Sequence, residues 1–257
     1  MMEERRLRSQ RLLRKGALAE ETYELFRGWQ EGTSFDENFG RVFAAHFRTD
    51  AWKDEVRKTL SLRFADPTAA APLRVLAGHG FPLQDWKHCL LLTIAAGESD
   101  YWQFAAHWLF PEYVAGRYQV RTDDVVDFVR EWWGVSRGEG EPLTEYGAVR
   151  TARDLIRMAR DLGVLRGQGP VKEFARVPLG DAVFLYACHF IAEFEGGTAR
   201  IPGSPLWRAF LLEPSAVEEA LLRLHQFRKL EYQVAGSLVA ISLPCGNARE
   251  FAERMVA

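Results

Sequence analysis

Between Leu179 and Leu243 the chain carries a close series of start and stop signals that leaves few folds open. Leu179 to Phe194 is apolar, of helical length and free of Pro and Gly after Gly180, and Gly196-Gly197 stops it. Thr198 to Ile201 reads as a strand. Ser204 predicts an N-cap for a short helix with Pro205 at its first position, where the missing N–H costs nothing. Pro214 separates it from the next helix, which Ser215 and Glu218 open as a capping box: the hydroxyl accepts a free N–H three residues on, and the carboxylate reaches back. That helix runs to about Lys229. Leu230 to Val234 and Leu238 to Leu243 flank Ala235-Gly236-Ser237, a connection whose glycine admits positive φ, so they read as a hairpin. Helix, strand, helix, helix, strand, wing, strand is the winged-helix order.

Upstream, almost every segment favours helix. Leu18, Thr22, Leu25, Phe26 and Trp29 recur at helical spacing and Gly32 ends them. Ser34 and Glu37 form a second capping box, before a helix with Phe39, Val42, Phe43 and Phe47 on one face. Thr49 caps a third, with Trp52, Val56 and Leu60 inward and Lys53, Arg57 and Lys58 outward. Further helices are expected over about 68–77, 82–96 and 100–116, from a Thr122 cap through Trp132, and over 148–162 with Gly163 as its stop. Short loops between them suit a bundle of antiparallel helices. Arg137 to Pro142 is the clearest linker by composition and Gly167-Gln168-Gly169-Pro170 the second. The predicted fold is mainly α: an N-terminal helical bundle over residues 1–172, then a C-terminal winged-helix-like domain with a small β-hairpin over 173–257.

A chain of 257 residues can hold two domains with real cores, and 47% hydrophobic residues exclude a disordered class. Cys89, Cys188 and Cys245 are odd in number and never closely paired, so neither a disulfide framework nor a zinc site is indicated. The first residues are charged from Glu3 onward, unlike a signal peptide, and the longest apolar runs fall well short of a membrane span. A soluble, cytoplasmic protein is expected.

Catalysis finds little support. His46, His79, His88, His107, His189 and His225 form no HExxH and no pair at i and i+4, and no phosphate-binding loop, dinucleotide fingerprint or nucleophile elbow is present. No metal or cofactor is predicted. Asp123-Asp124 fits a helix first turn, where negative charge suits the dipole, and Glu139 to Glu141 reads as solvated linker.

Basic residues are more suggestive, although the net charge of −2 provides no global pull toward nucleic acid. Arg150, Arg153, Arg157 and Arg160 are spaced 3, 4 and 3 and share a stripe less than a quarter-turn wide, with Leu155, Met158, Ala159 and Leu162 opposite. Such a row of planar donor forks suits tracking phosphates. The competing reading is a solvated face in which Asp154 pairs with Arg150 and Asp161 with Arg157. A basic arm over 1–15, with Arg5, Arg6, Arg8, Arg11, Arg14 and Lys15, has no acid after Glu4; it either contacts backbone phosphate or merely solubilises the terminus. On the third helix of the winged-helix region the outward positions include Glu219, Arg223 and Gln226, with Arg228 and Lys229 at the end, and such a helix could enter a groove where Arg and Gln read base edges. Residues 176–257 nevertheless hold eight Lys and Arg against nine Asp and Glu, and the wing tip has no basic residue, so a protein-docking role stays open.

Three stretches resemble one family. They are Gly16 to Thr22 with its helix and Gly32; Leu143-Thr144 through Leu162-Gly163-Val164-Leu165; and Trp207-Arg208-Ala209-Phe210-Leu211 followed by a capped helix, Leu230 to Gly236 and Leu238 to Ser242. Together they are similar to the BrxA proteins of bacterial BREX phage-defence systems. The resemblance implies a non-enzymatic, mostly helical accessory protein without a cofactor that binds double-stranded DNA, with a methyltransferase, an alkaline-phosphatase-like protein and large ATPases as system partners. It transfers no individual DNA contact.

Overall fold

The computed structural model describes residues 6–136, 143–236 and 238–256; Arg5, the 137–142 linker and Ser237 lie outside them. Among the described residues ten α-helices precede the first hairpin: α1 (Gln10–Lys15), α2 (Ala19–Arg27), α3 (Phe35–Val42), α4 (Asp50–Arg63), α5 (Pro67–Gly78), α6 (Leu83–Gly97), α7 (Ser99–Phe104), α8 (Phe110–Val114), α9 (Thr122–Ser136) and α10 (Glu145–Asp161). Their starts follow side-chain chemistry. Ser34 Oγ accepts the Glu37 N–H at 3.2 Å while the Glu37 carboxylate accepts the Ser34 N–H at 2.8 Å, the expected box. Thr49 accepts from Trp52 N at 3.3 Å, and Asp66 from Thr68 N at 2.8 Å with Pro67 next. The helix expected over 100–116 is interrupted: α7 widens into a π-turn at Ala105–Leu109 before α8. Pro111 follows, and a residue without an N–H cannot continue a regular ladder.

Some boundaries differ. Thr122 is the first residue of α9 rather than its cap; Asp124 reaches back to the Arg121 N–H at 2.7 Å. α3 stops at Val42, yet Phe47 still packs near Phe39 and Phe43. Trp52 is 40% exposed instead of inward, because at the first turn of α4 its ring lies beside Lys15 and beyond the buried Val56 and Leu60.

Helix is not the whole story before residue 196. Strands β1 (Gln119–Val120), β2 (Leu165–Arg166) and β3 (Lys172–Phe174) form an antiparallel sheet in the order β1-β3-β2. Gly167 to Pro170 is therefore the turn of the β2–β3 hairpin and not an interdomain linker; Gly167 has φ +112°, open to glycine. Position 172/173 falls inside β3, which pairs with segments on its N-terminal side.

The C-terminal part contains α11 (Asp181–Glu195), closed by Gly196 at φ +81°, a 3₁₀ helix at Pro205–Phe210, α12 (Pro214–Gln226), strands β4 (Glu231–Ala235) and β5 (Leu238–Ser242), and α13 (Ala248–Val256). Ser204 caps the 3₁₀ helix through Leu206 N at 3.2 Å. Four expectations change. Thr198–Arg200 is a 3₁₀ turn, not a strand: the run is confined between Gly197 and Pro202, its N–H groups bond locally, and Ile201 is buried. The Ser215–Glu218 box does not form, because Glu213 is the N-cap and Pro214 already the first helical residue. α12 ends at Gln226, and Arg228 adopts φ +55° in the loop that follows. The β4–β5 register pairs Ala235 with Leu238, so two residues connect the strands rather than three.

Both parts share one core. Buried side chains run from Leu13 through Trp86 and Leu155 to Trp207 and Ala252 in a single cluster. Trp86 sits within it with no exposure, donates from Nε1 to Leu73 O at 3.0 Å, and takes Tyr23 edge-on at 5.2 Å. α13 packs on α5 and α11, and α6 on α11 and the Pro205–Phe210 turn.

Candidate nucleic-acid interface

α10 presents its arginines because its other side is committed to the core. Thr144 caps it through Gly147 N at 3.1 Å, and Ala148, Ala152, Leu155, Met158 and Ala159 are fully buried. Against it lies α1, anchored by buried Leu12 and Leu13. The turn after α1 is clamped from two sides. From within, Arg63 donates to Ala17 O at 2.6 Å and Gly16 O at 2.9 Å, and its guanidinium is ion-paired with Glu98 out of contact with water. From outside, Arg157 donates to the Arg14 carbonyl. Two basic segments far apart in sequence thus share one face.

The pairing on that face differs from the expected i,i+4 pattern. Asp154 pairs with Arg157 at 3.0 Å, and Asp161 with the adjacent Arg160 at 2.6 Å. On α1, Arg11 and Lys15 both reach Glu55, at 3.1 and 2.8 Å. Arg14, Arg150 and Arg153 are exposed and make no ion pair or side-chain hydrogen bond among the described residues. Asp154, largely buried on α10, feels two of them: burial pushes its carboxyl up, while Arg157, Arg150 and Arg14 pull it back down. Arg14 belongs to the basic run, but nothing in the spacing showed that it would meet α10.

Arg6 and Arg8 leave the candidate set. Leu7 bridges to the turn after α6, its N–H donating to Gly97 O at 2.7 Å and its carbonyl accepting Ser99 N at 3.0 Å, so the arm is folded in at this point. Arg6 is 8% exposed, donates to Ala95 O at 3.1 Å and lies 4.2 Å over Trp102. Arg8 lies 3.3 Å from Asp100 and 4.8 Å over Trp133. Tryptophan faces and a carboxylate, contributed by α7 and α9, hold these guanidinium groups more favourably than a free arm would. Asp100 in turn has its carboxyl raised, chiefly by burial and against the pull of Arg8. Arg5 lies outside the described residues.

In the C-terminal part Arg223 and Lys229 converge on Asp181, Lys229 at 2.7 Å. Lys229 above all, and then Arg223, hold that carboxyl below its ordinary range. Gln226 and Arg228 are exposed. Near the hairpin tip two large apolar side chains are exposed, Val234 at 51% and Leu238 at 74%. Among the described residues the four α12-region residues make no ion pair or side-chain hydrogen bond to α1 or α10.

Fold and face together define a mainly helical protein with a small antiparallel hairpin and a basic α1–α10 surface. No protein-family pattern, curated protein or solved structure matches the chain. No helix among the described residues is long and apolar enough to cross a membrane.

Proposed function

We propose that this chain is a non-enzymatic, cytoplasmic DNA-binding accessory protein of a BREX-type defence system, related to BrxA, which grips duplex DNA by its phosphates with little sequence preference. The observation carrying DNA binding is the convergence of α1 and α10, with Arg14, Arg150 and Arg153 on these two helices exposed and without a competing ion pair among the described residues. Unpaired arginines lose no salt bridge on meeting a phosphate, whereas Arg157 and Arg160 would have to leave or share Asp154 and Asp161. The BREX setting, with its methyltransferase, phosphatase-like protein and ATPase, rests on the sequence resemblance. We read α11 through β5 as a winged helix whose first strand is replaced by the Thr198–Arg200 turn.

The test is a salt titration of duplex binding. Counterion release makes each phosphate contact worth about 0.9 in the slope of log affinity against log salt. Replacing Arg14, Arg150 and Arg153 together by Gln should therefore flatten the slope by roughly 2–3 and weaken all sequences alike. Absence of duplex binding by the unaltered protein at low salt would sink the proposal.

A second reading is favoured by the apolar hairpin tip and by the engagement of Arg223 and Lys229 with Asp181. Here the C-terminal part docks a protein of the defence complex and touches no DNA. A complex with operon partners that survives nuclease and high salt, and is lost in Leu238→Asp, would favour it.

A further inference from the structure

We propose that a cleft beside the α1–α10 face receives an unpaired nucleotide of the bound DNA, with its base stacked on Trp52. The inference rests on the backbone-binding reading above and adds to it a preference for duplexes that carry a single-stranded end.

The cleft, of about 400 Å³, opens between α1, α2, α4, α6 and α10 and is within the size range of small-ligand sites. Trp52 forms part of its wall at 40% exposure, while the other seven tryptophans are buried or half-buried. Leaving about two fifths of an indole exposed forfeits part of the large apolar burial it can supply, on a helix whose neighbouring Val56 and Leu60 are fully covered. The Lys15 ammonium lies over one face of the ring, 5.4 Å from its centre, so a stacking base takes the other face or displaces this flexible side chain, and Lys87, Arg157 and Arg160 complete the basic part of the lining. An aromatic platform beside cations is how unpaired nucleic acid is held: the ring accepts the face of any base, and the cations meet the backbone.

Charge alone does not account for the cleft. Its four cations share the lining with Glu20, Glu21 and Asp161; Lys87 lies 3.3 Å from Glu20, and Lys15 is held by Glu55. The electrostatic excess is small, so the indole is the distinguishing element. Bases inside a duplex are already stacked on their neighbours and cannot use it; a base at a single-stranded end can.

The experiment compares three DNAs by fluorescence anisotropy with the full chain: a short blunt duplex, the same duplex with a single-stranded overhang, and that duplex with abasic sites throughout the overhang. The overhang should tighten binding on the order of tenfold. The abasic overhang, which keeps the phosphates, should lose the gain; so should Trp52→Ala, while Trp52→Phe keeps most of it. Because the gain comes from stacking, it should hold between about 50 and 200 mM salt while overall affinity falls. Blunt duplex bound with no gain from the overhang, or a gain that the abasic DNA or Trp52→Ala retains, overturns this inference and leaves the backbone reading intact. No binding of blunt duplex at low salt removes both. The abasic comparison uses unaltered protein, so it stands even where a variant fails to fold.

Discussion

His88 and His189 are 2% and 1% exposed, and each has its imidazolium disfavoured mainly by burial. Asp85 partly offsets this for His88; for His189 the offset comes first from the Leu185 carbonyl, which accepts from Nδ1 at 2.7 Å. Both groups therefore titrate lower in the folded chain than in the unfolded one. Well above pH 6.5, the ordinary value at which the unfolded histidines are half protonated, both states are neutral and no linkage operates. As pH falls below that value the unfolded state takes up protons that the folded state refuses, so stability declines toward the folded pKa. Each histidine contributes at most about 1.4 kcal/mol per pH unit in this window. Urea midpoints should fall between pH 7 and pH 5.5, and the fall should shrink in a His88→Gln variant that still folds; a flat profile over that range would count against the assignment. Asp100, Asp154 and Glu195, whose carboxyls burial raises, act with the opposite sign, gaining stability as pH falls through their folded values. The sequence showed His88 and His189 in apolar helices without metal-ligand spacing, which is as far as residue type and period can reach. It could not show which cations would be used internally. Arg6 and Arg8 look the same in sequence as Arg11 and Arg14, and only the placement of Trp102 and Trp133 separates plugs from surface.

Elements with their own caps and an uninterrupted period were legible. The buried side of α10 and its arginine stripe follow from spacing, and the Ser34, Thr49 and Ser204 caps from residue type. Elements set by partners were not. β1, β2 and β3 are too short to carry an alternation; β1 and β2 are strands only because each pairs with the central β3. The position of α1 depends in the same way on a distant pair, Arg63 and Glu98, whose side chains are 2% and 8% exposed. Arg63 spends its remaining donors on the Gly16 and Ala17 carbonyls, so the pair fixes how the basic arm enters the bundle. Glu98→Gln leaves a buried guanidinium without its counter-charge, a change that typically costs about 3–5 kcal/mol. Chemical denaturation should show a loss of that order. Near-native stability in Glu98→Gln would mean that the clamp is not what seats α1.

For the whole molecule, 257 residues is close to the size at which single cores give way to separate domains, and composition favoured two. The packing distributes the chain differently. α13, the last helix, lies on α5 from the first third, and α11 lies on α6. Phe251 stacks on His189 at 4.5 Å, and Trp207 on Phe184 at 4.6 Å, within the cluster that contains Trp86. A boundary at 172/173 would have to cut β3 from β1 and β2 and uncover these helix faces to water. Exposing such a shared core is costly, so its two sides should melt together rather than in turn. Seven of the eight tryptophans precede residue 172, and only Trp207 follows it, so fluorescence reports mostly on the N-terminal part while far-ultraviolet dichroism reports on helices throughout. The two probes should give coincident urea transitions, and Phe251→Ala, at the far end of the chain, should shift both by the same amount. Because large buried side chains cost about 3–5 kcal/mol on truncation to Ala, that shift should be plainly measurable. A dichroism transition that separates from the fluorescence one, or a Phe251→Ala shift confined to dichroism, would restore two independently folding parts and return the α1–α10 face to the N-terminal one alone.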